Sequence, residues 1–474
     1  MALKHSAITC IDRISEKYGK KRPEAVLTAV KIIASGTALG HENNSLRIIS
    51  LLCLASAVDV LKDEIVGVIP SVMDKAIEYL SDAVEDEPNP RLHDAVFAFM
   101  TALLEHLPWV MPAKIFNRLL QLACSAAAEP ELDKRNKSVR DQFASLAASK
   151  IDVKVLVTCI EETFEDAVED GYYGCSELLS VLEKVINSQP KSALLKSSSA
   201  VFAPLQKAFD VRRMLALAEE NPTPQELALL DSKRDSIMLD TIMKLNDTTF
   251  RPFFVRLVEW ATESLPASDA DGRTQRSISL YAFLAVFFER LKSIVTSYAG
   301  YILSHSASVL ETTPVASDAD KALLRTVLQT LTSSFKHDQD DFWQAPSHFS
   351  TISSALLSLL LRAKQPAVRD ALDLVPTIVE LATVAASQDH HKELNGALLK
   401  NMRSDDALVR LAAVKTEQSL TERLGEDWLG LLPEMLPFIS ELQEDDDEDV
   451  ERETLVWIRQ IEGVLGESLE GMLQ

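Results

Sequence analysis

Apolar residues along this chain recur at helical spacing in segments of about 12 to 20 residues, each closed by a short polar break. The clearest breaks are Glu85-Asp86-Glu87-Pro88-Asn89-Pro90, Asn221-Pro222-Thr223-Pro224, Pro266-Ala267-Ser268-Asp269-Ala270-Asp271-Gly272 and Asp338-Gln339-Asp340-Asp341. A helix that ends at so short a break folds back on the one before it, so the pattern predicts paired helices. Towards the C-terminus the pattern acquires a fixed step. Val368, Val409 and Val450 stand 41 residues apart, within Gln365-Pro366-Ala367-Val368-Arg369, Asp406-Ala407-Leu408-Val409-Arg410 and Asp447-Glu448-Asp449-Val450-Glu451. An equal step that carries an apolar residue at a helix start, with Arg369 and Arg410 beside it, predicts stacked helical pairs. In the first half, second helices are expected to open at Leu46-Arg47-Ile48-Ile49, at Arg91-Leu92-His93-Asp94-Ala95-Val96 and at Val139-Arg140-Asp141-Gln142-Phe143, at looser spacings.

The last copies show how the pattern specifies structure. Asp405 or Asp406 is placed to cap the helix that carries Val409, Leu411 and Val414, because a short acidic side chain accepts hydrogen bonds from the unpaired N–H groups of a first turn. Asn395-Gly396-Ala397-Leu398-Leu399-Lys400 reads as a short first helix, and Trp428, Leu432, Met435, Leu436 and Ile439 as the apolar stripe of the next one. Pro433 and Pro437 fall inside that later helix and are expected to bend it. Arg369 and Arg410 follow the motif valine and Asp405 or Asp447 precede it, so neighbouring repeats are placed to form a ladder of charge-assisted hydrogen bonds. The expected fold class is all-α, an α-solenoid of tandem antiparallel helix pairs forming a HEAT- or armadillo-type superhelix.

Composition supports this. With 14 Gly, 6% aromatic and 47% hydrophobic residues, the chain lacks the turn glycines and aromatic strands of a β-rich protein. A formal charge of −23 makes it repel phosphate backbones at long range, which excludes generic coating of nucleic acid. The charge is uneven. Glu441 to Glu453 holds nine acids and one base, whereas Lys191, Lys196, Lys207, Arg212 and Arg213 gather between Lys184 and Arg213, and Lys134-Arg135-Lys137-Arg140 makes a second basic strip. Either strip is a candidate for local RNA contact. The run Glu444, Asp445, Asp446, Asp447, Glu448 and Asp449 is a candidate partner-binding patch, set against the plainer role of a charged cap on a terminal repeat.

The five cysteines, Cys10, Cys53, Cys124, Cys159 and Cys175, are scattered and odd in number, which suits thiols in a reducing compartment. With no obvious signal-peptide core and no long uninterrupted apolar run, the expectation is a soluble intracellular protein without a membrane partner. No phosphate loop, dinucleotide fingerprint, zinc-protease motif or serine elbow occurs. His390 and His391 are adjacent rather than spaced for one helical face, and the acids Glu161, Glu162, Glu165 and Asp166 suit a solvated helix face. No catalytic group, cofactor, metal ligand or small-molecule substrate is expected, so the chain is not read as an enzyme.

One segment is more particular. Thr248-Thr249-Phe250-Arg251-Pro252-Phe253-Phe254-Val255-Arg256-Leu257-Val258-Glu259-Trp260-Ala261 concentrates aromatic residues, for core packing or for a partner, and an apolar helix over Leu280 to Leu291 follows it. Together with Leu432-Pro433-Glu434-Met435-Leu436-Pro437-Phe438, the acidic run Glu444 to Asp449 and Leu465-Gly466-Glu467-Ser468-Leu469, these strings resemble the C-terminal module of the large HEAT-repeat subunit of the small-subunit processome. The resemblance covers about residues 240 to 474. It implies a C-terminal part of a much longer protein, with 1–240 as upstream HEAT-like repeats and 241–474 as the family-specific module ending in an acidic capping repeat. It further implies a nucleolar scaffold of the UtpA subcomplex, held by other processome proteins and, through the whole complex, by the 5′ external transcribed spacer of pre-ribosomal RNA. Pre-18S rRNA processing and small-subunit assembly would be its process. The alternative is an acidic HEAT-repeat transport or adaptor protein that binds basic cargo.

Overall fold

The computed structural model describes residues 2–218, 222–362 and 374–473, with the side chains of 133–135 outside the description. Val368 and Arg369 therefore lie outside the described residues. The chain divides into two compact units, Met1–Phe254 and Val255–Gln474.

The first unit runs α1 (Ala2–Tyr18), α2 (Pro23–Ile33), α3 (Asn44–Leu61), α4 (Ile69–Ser81), α5 (Pro90–His106), α6 (Ala113–Ala128), α7 (Pro130–Lys150), α8 (Val153–Glu169), α9 (Gly171–Ser188), α10 (Lys191–Lys196), α11 (Ser198–Leu217) and α12 (Pro224–Lys244). Helix α13 (Asp247–Thr262) contains the division between the units. The second unit continues with α14 (Ala270–Leu291), α15 (Leu303–Thr312), α16 (Asp318–Lys336), α17 (Pro346–Leu360), α18 (Leu374–Val384), α19 (Gln388–Asn401), α20 (Ala407–Leu424), α21 (Glu426–Leu429), α22 (Leu432–Leu442) and α23 (Glu448–Leu465). Among the described residues no strand occurs.

Within each unit the helices stack in two layers. In the first unit α3, α5, α7, α9 and α12 pack side by side in one layer, and α4, α6, α8 and α11 in the other. In the second unit α14, α16, α18, α20 and α23 form the corresponding row, backed by α15, α17 and α19. The fold is an all-α solenoid of tandem antiparallel helix pairs. One face of each helix is buried against its pair and its neighbour in the row, as with Leu92, Val96, Phe99 and Leu103 of α5.

The ends of the helices follow local chemistry. Asn43, Asn89, Asp152, Asp269, Asp406 and Asp447 each accept a first-turn N–H, and Thr223 with Glu226 and Ser317 with Asp320 form capping boxes. Of the two candidates at the 41-residue motif, Asp406 is the cap. Several sequence expectations shift. Val139 and Arg140 do not open a helix, because α7 already starts at Pro130. The short first helix expected at Asn395 is the C-terminal half of α19. Pro433 sits in the first turn of α22, where the missing N–H has no helical partner to lose, so only Pro437 lies in the helix interior. Helix α3 is long and apolar enough to cross a membrane by length and composition; here it packs between α1 and α5 with Leu46, Leu51, Leu54, Val58 and Leu61 buried.

Three helices end on the same turn. Lys62 after α3, Lys292 after α14 and Gly425 after α20 have φ/ψ of 48/−123°, 53/−133° and 55/−127°. That is the first central position of a type II′ turn, which an L side chain occupies only with strain. Both lysines are exposed, so little packing is lost without their side chains. Lys62→Gly and Lys292→Gly are each expected to raise stability by about 1 kcal/mol, read as an upward shift of the urea midpoint at unchanged slope. A lowered midpoint in both variants would contradict the strained-turn reading.

Candidate functional site: an interaction surface on stacked helices

The motif that set the 41-residue step recurs at the starts of row helices as a cap, an apolar residue three positions on and a polar residue after it: Asn43/Leu46/Arg47, Asn89/Leu92/His93, Asp406/Val409/Arg410 and Asp447/Val450/Glu451. In two copies the polar member, an arginine, ties its helix to the segments packed beside it. Arg47 lies 4.1 Å over the Tyr79 ring, donates through Nε to the His41 carbonyl at 2.9 Å and reaches Asp82 at 3.8 Å. Arg410 donates through Nε and Nη2 to the two oxygens of Asp445, at 2.7 and 2.6 Å, and through Nη1 to the Ser404 carbonyl at 2.9 Å. Burial opposes the Asp445 charge, but Arg410 and the Asp447 N–H together hold its carboxyl below the usual range. The ladder pair is therefore Arg410 with Asp445, not with Asp405 or Asp447. Asp447 is occupied with the N–H groups of Asp449 and Val450.

Asn136/Val139/Arg140 repeats the motif inside α7, where no cap is needed. Asn136 bonds backwards instead, from Nδ2 to Asp94 Oδ1 at 2.6 Å and to the Pro90 carbonyl at 2.9 Å. Arg140 bonds forwards, from Nε to Glu177 Oε1 at 3.0 Å, with both side chains buried. A second ladder joins the other layer at constant offset: Asn117 donates to Glu162, Gln121 to Asp166 and Ser125 to Asp170. Burial, helped by neighbouring acids, pushes the Asp170 carboxyl up to about 6. The carboxylates Glu162 and Asp166 thus join helices.

In the longer basic strip four cations are paired with acids, three of them on neighbouring helices and Arg213 on its own, and in the shorter one Arg140 is paired with Glu177. Lys184 meets Asp141 at 2.6 Å, Lys207 meets Glu165 at 3.0 Å, Arg212 meets Asp231 at 2.8 Å and Arg213 meets Asp210 at 2.6 Å. Lys137, Lys191 and Lys196 are exposed; Lys134 and Arg135 have no described side chains. In the acidic run Asp445 and Asp447 are held by the fold, Glu444, Asp446 and Glu448 face solvent, and Asp449 pairs with Arg452 at 2.6 Å on the surface. Glu451 is exposed. The aromatic segment is core: Phe250, Phe253 and Phe254 are buried, Phe253 stacks on Phe202 at 3.9 Å, and Trp260 lies under Arg276 at 4.0 Å.

Other candidate chemistry is structural. His390 and His391 are buried and bond through Nε2 to the carbonyls of Gln344 at 2.8 Å and Ala382 at 2.9 Å. Among the described residues no cluster of His, Cys, Asp or Glu could hold a metal. Glu417 is fully buried and accepts the Trp428 indole N–H at 2.7 Å; burial outweighs that bond and pushes its carboxyl up to about 8.

One open groove, of about 540 Å³, runs along α5 between α3 and α7. Ala95 and Ala98 leave its floor low, Ile48, Leu52 and Val139 wall it, and Arg91, Asp94 and Thr101 line it. No sequence motif marked it, because small residues on a helix face carry no signal until the neighbouring helices are placed.

Residues 193–343 match the BP28CT (NUC211) domain. The chain is 46% identical to U3 small nucleolar RNA-associated protein 10 of Chaetomium globosum, over 100% of this chain and 27% of that protein. Against the protein of the same name from Neurospora crassa it is 46% identical, over 100% of this chain and 26% of the relative. Both relatives carry the name U3 small nucleolar RNA-associated protein 10. The chain spans about a quarter of their length. Among solved structures it is similar to Kap121p bound to RanGTP, with TM-score 0.46, 13% identity and 94% of this chain against 44% of that one covered. Importin beta gives TM-score 0.32 and 14% identity over 98% of this chain and 61% of that one. Likenesses this loose carry no argument about function.

The ladders give two expected outcomes. Arg140→Ala leaves Glu177 buried without its ion-pair partner and is expected to cost about 3–5 kcal/mol, most of it recovered in the double variant with Glu177→Leu; urea unfolding checks both, and a cost below about 1 kcal/mol would contradict a buried pair. For Glu417 the folded chain keeps a proton that the unfolded chain releases near the ordinary value of 4.5, so its stability contribution is complete below that pH and is lost as pH rises towards about 8. Glu417→Gln is expected to unfold near the wild-type urea midpoint at acidic pH and above it at alkaline pH, and parallel pH profiles would contradict this.

Proposed function

We propose that the chain acts as a non-catalytic scaffold in ribosome biogenesis, as one part of a nucleolar subunit of the small-subunit processome. The observation that carries this is its similarity, at 46% identity over its whole length, to proteins named for association with the U3 small nucleolar RNA. Stacked pairs suit such a role, since a solenoid offers long faces to several partners without chemistry of its own. Membership of the UtpA subcomplex, engagement of the 5′ external transcribed spacer through that complex, and pre-18S rRNA processing are the finer parts of the reading.

Protein partners fit the surface better than RNA does. Four cations of the longer basic strip are paired with acids, and the chain carries −23 overall. The exposed acids Glu444, Asp446 and Glu448 suit a basic protein segment. The repeat positions Val409, Arg410 and Val450 serve the stack that presents them.

The test tags the whole protein that contains this chain, in its own cells. It is expected to co-purify with early pre-ribosomal particles containing U3 RNA, and its depletion to accumulate precursors of 18S rRNA. Recovery free of pre-ribosomal RNA, with normal 18S maturation on depletion, would sink the proposal. Within those particles, charge reversal at Glu444, Asp446 and Glu448 is expected to remove a subset of protein crosslinks while leaving RNA crosslinks unchanged.

A further inference from the structure

The groove over α5 combines a low apolar floor with a fixed carboxylate and an exposed guanidinium at one end. Arg91 and Thr101 mark its length: ten residues of helix, or about 15 Å at 1.5 Å per residue, enough for two to three turns of a second helix. Its walls include Leu52, 40% exposed, so apolar surface is left facing water along the groove. At one end Asp94 is held in place. Asn136 Nδ2 and His93 Nδ1 donate to its Oδ1 at 2.6 and 3.1 Å, and these bonds hold the carboxyl below the usual range against the effect of burial. A charge positioned by two neighbours is a ready receptor for a cation. Arg91, one turn earlier, is exposed and makes no ion pair among the described residues. At the other end Thr101 is buried to 9% exposure and closes the floor.

We propose that this groove seats one amphipathic helix of a basic partner protein, with its apolar edge on Ala95 and Ala98 and a lysine or arginine paired with Asp94. Helix-in-groove docking needs apolar anchors three or four residues apart over a floor without bulk, which the alanines provide. The methylene stem of a long cationic side chain covers the aliphatic wall while its head reaches the carboxylate. Arg91 sets the next position: the helix carries an acid one turn from its base, and a second cation there is repelled. The charge of −23 draws a basic partner towards the chain and disfavours a polyanion in the same groove. This goes beyond the scaffold reading and stands apart from it, since the test below needs neither U3 RNA nor a pre-ribosome.

The test uses the whole chain and a fluorescein-labelled helical peptide of about 15 residues with leucines at i and i+4 and a Glu/Lys pair on the following turns, beside a scrambled peptide of equal composition. Fluorescence anisotropy is expected to show saturable binding of the helix and not of the scramble. Ala98→Trp, which fills the floor, weakens binding by about tenfold or more, and Leu52→Glu at the rim does the same, with circular dichroism melts confirming that each variant folds. Asp94→Asn weakens the lysine peptide but leaves unchanged a peptide with methionine at that position, which isolates the ion pair. Failure of the helix to bind, equal binding of helix and scramble, wild-type affinity in both filling variants, or displacement of the peptide by single-stranded RNA would each overturn the proposal.

Discussion

A single amphipathic helix pair has more apolar surface than it can cover by itself, and everything else in this molecule follows from covering it with the next pair. Apolar contact alone is non-directional, so a row of leucines and valines allows neighbouring helices to slide by a turn. The polar residues at the helix starts remove that freedom. Arg410 grips Asp445 with two parallel hydrogen bonds and the buried Arg140 meets Glu177, each joining one pair to the next. Such pairs add little net stability against a well-packed apolar alternative; what they supply is register. The Asn117, Gln121 and Ser125 ladder does the same in the other layer, at one constant offset.

How far this was legible in the sequence depends on how local each signal is. Helix starts were readable where the cap lies beside its own helix, as at Asn89, Asp269 and Asp406. The same signal misled at Val139, because Asn136 occupies a cap position yet bonds to Asp94 of the preceding pair, while Pro130 has already opened the helix. A side chain's type shows that it wants a partner and not whose. That is also why Asp447 looked as suitable for Arg410 as Asp445 until its carboxylate was seen taken by its own helix. Both basic strips read as exposed surface for a similar reason: Lys184 and its partner Asp141 are 43 residues apart, and no local pattern joins them. The groove over α5 left no trace at all, since it is made by what Ala95 and Ala98 lack.

The electrostatics follow from the same stacking. Arginines and lysines are drawn into contacts between helices, and much of what stays outside is acidic. The effective charge is somewhat less negative than the formal one, because Glu417 keeps its proton at neutral pH and Asp170 titrates near it. A surface of this kind selects partners by sign before shape is tested, favouring basic protein segments and slowing the approach of bare RNA.

The shared turn after α3, α14 and α20 has a further consequence for how such chains reverse. One backbone conformation is kept at Lys62, Lys292 and Gly425, although only the last residue suits it. The same reversal is thus made with and without the amino acid that makes it easy, while α5 and α16 end in other conformations. Sequence likeness at these three bends is therefore no guide to their shared backbone geometry. A lysine at such a bend marks a place where the backbone, not the side chain, sets the path of the chain.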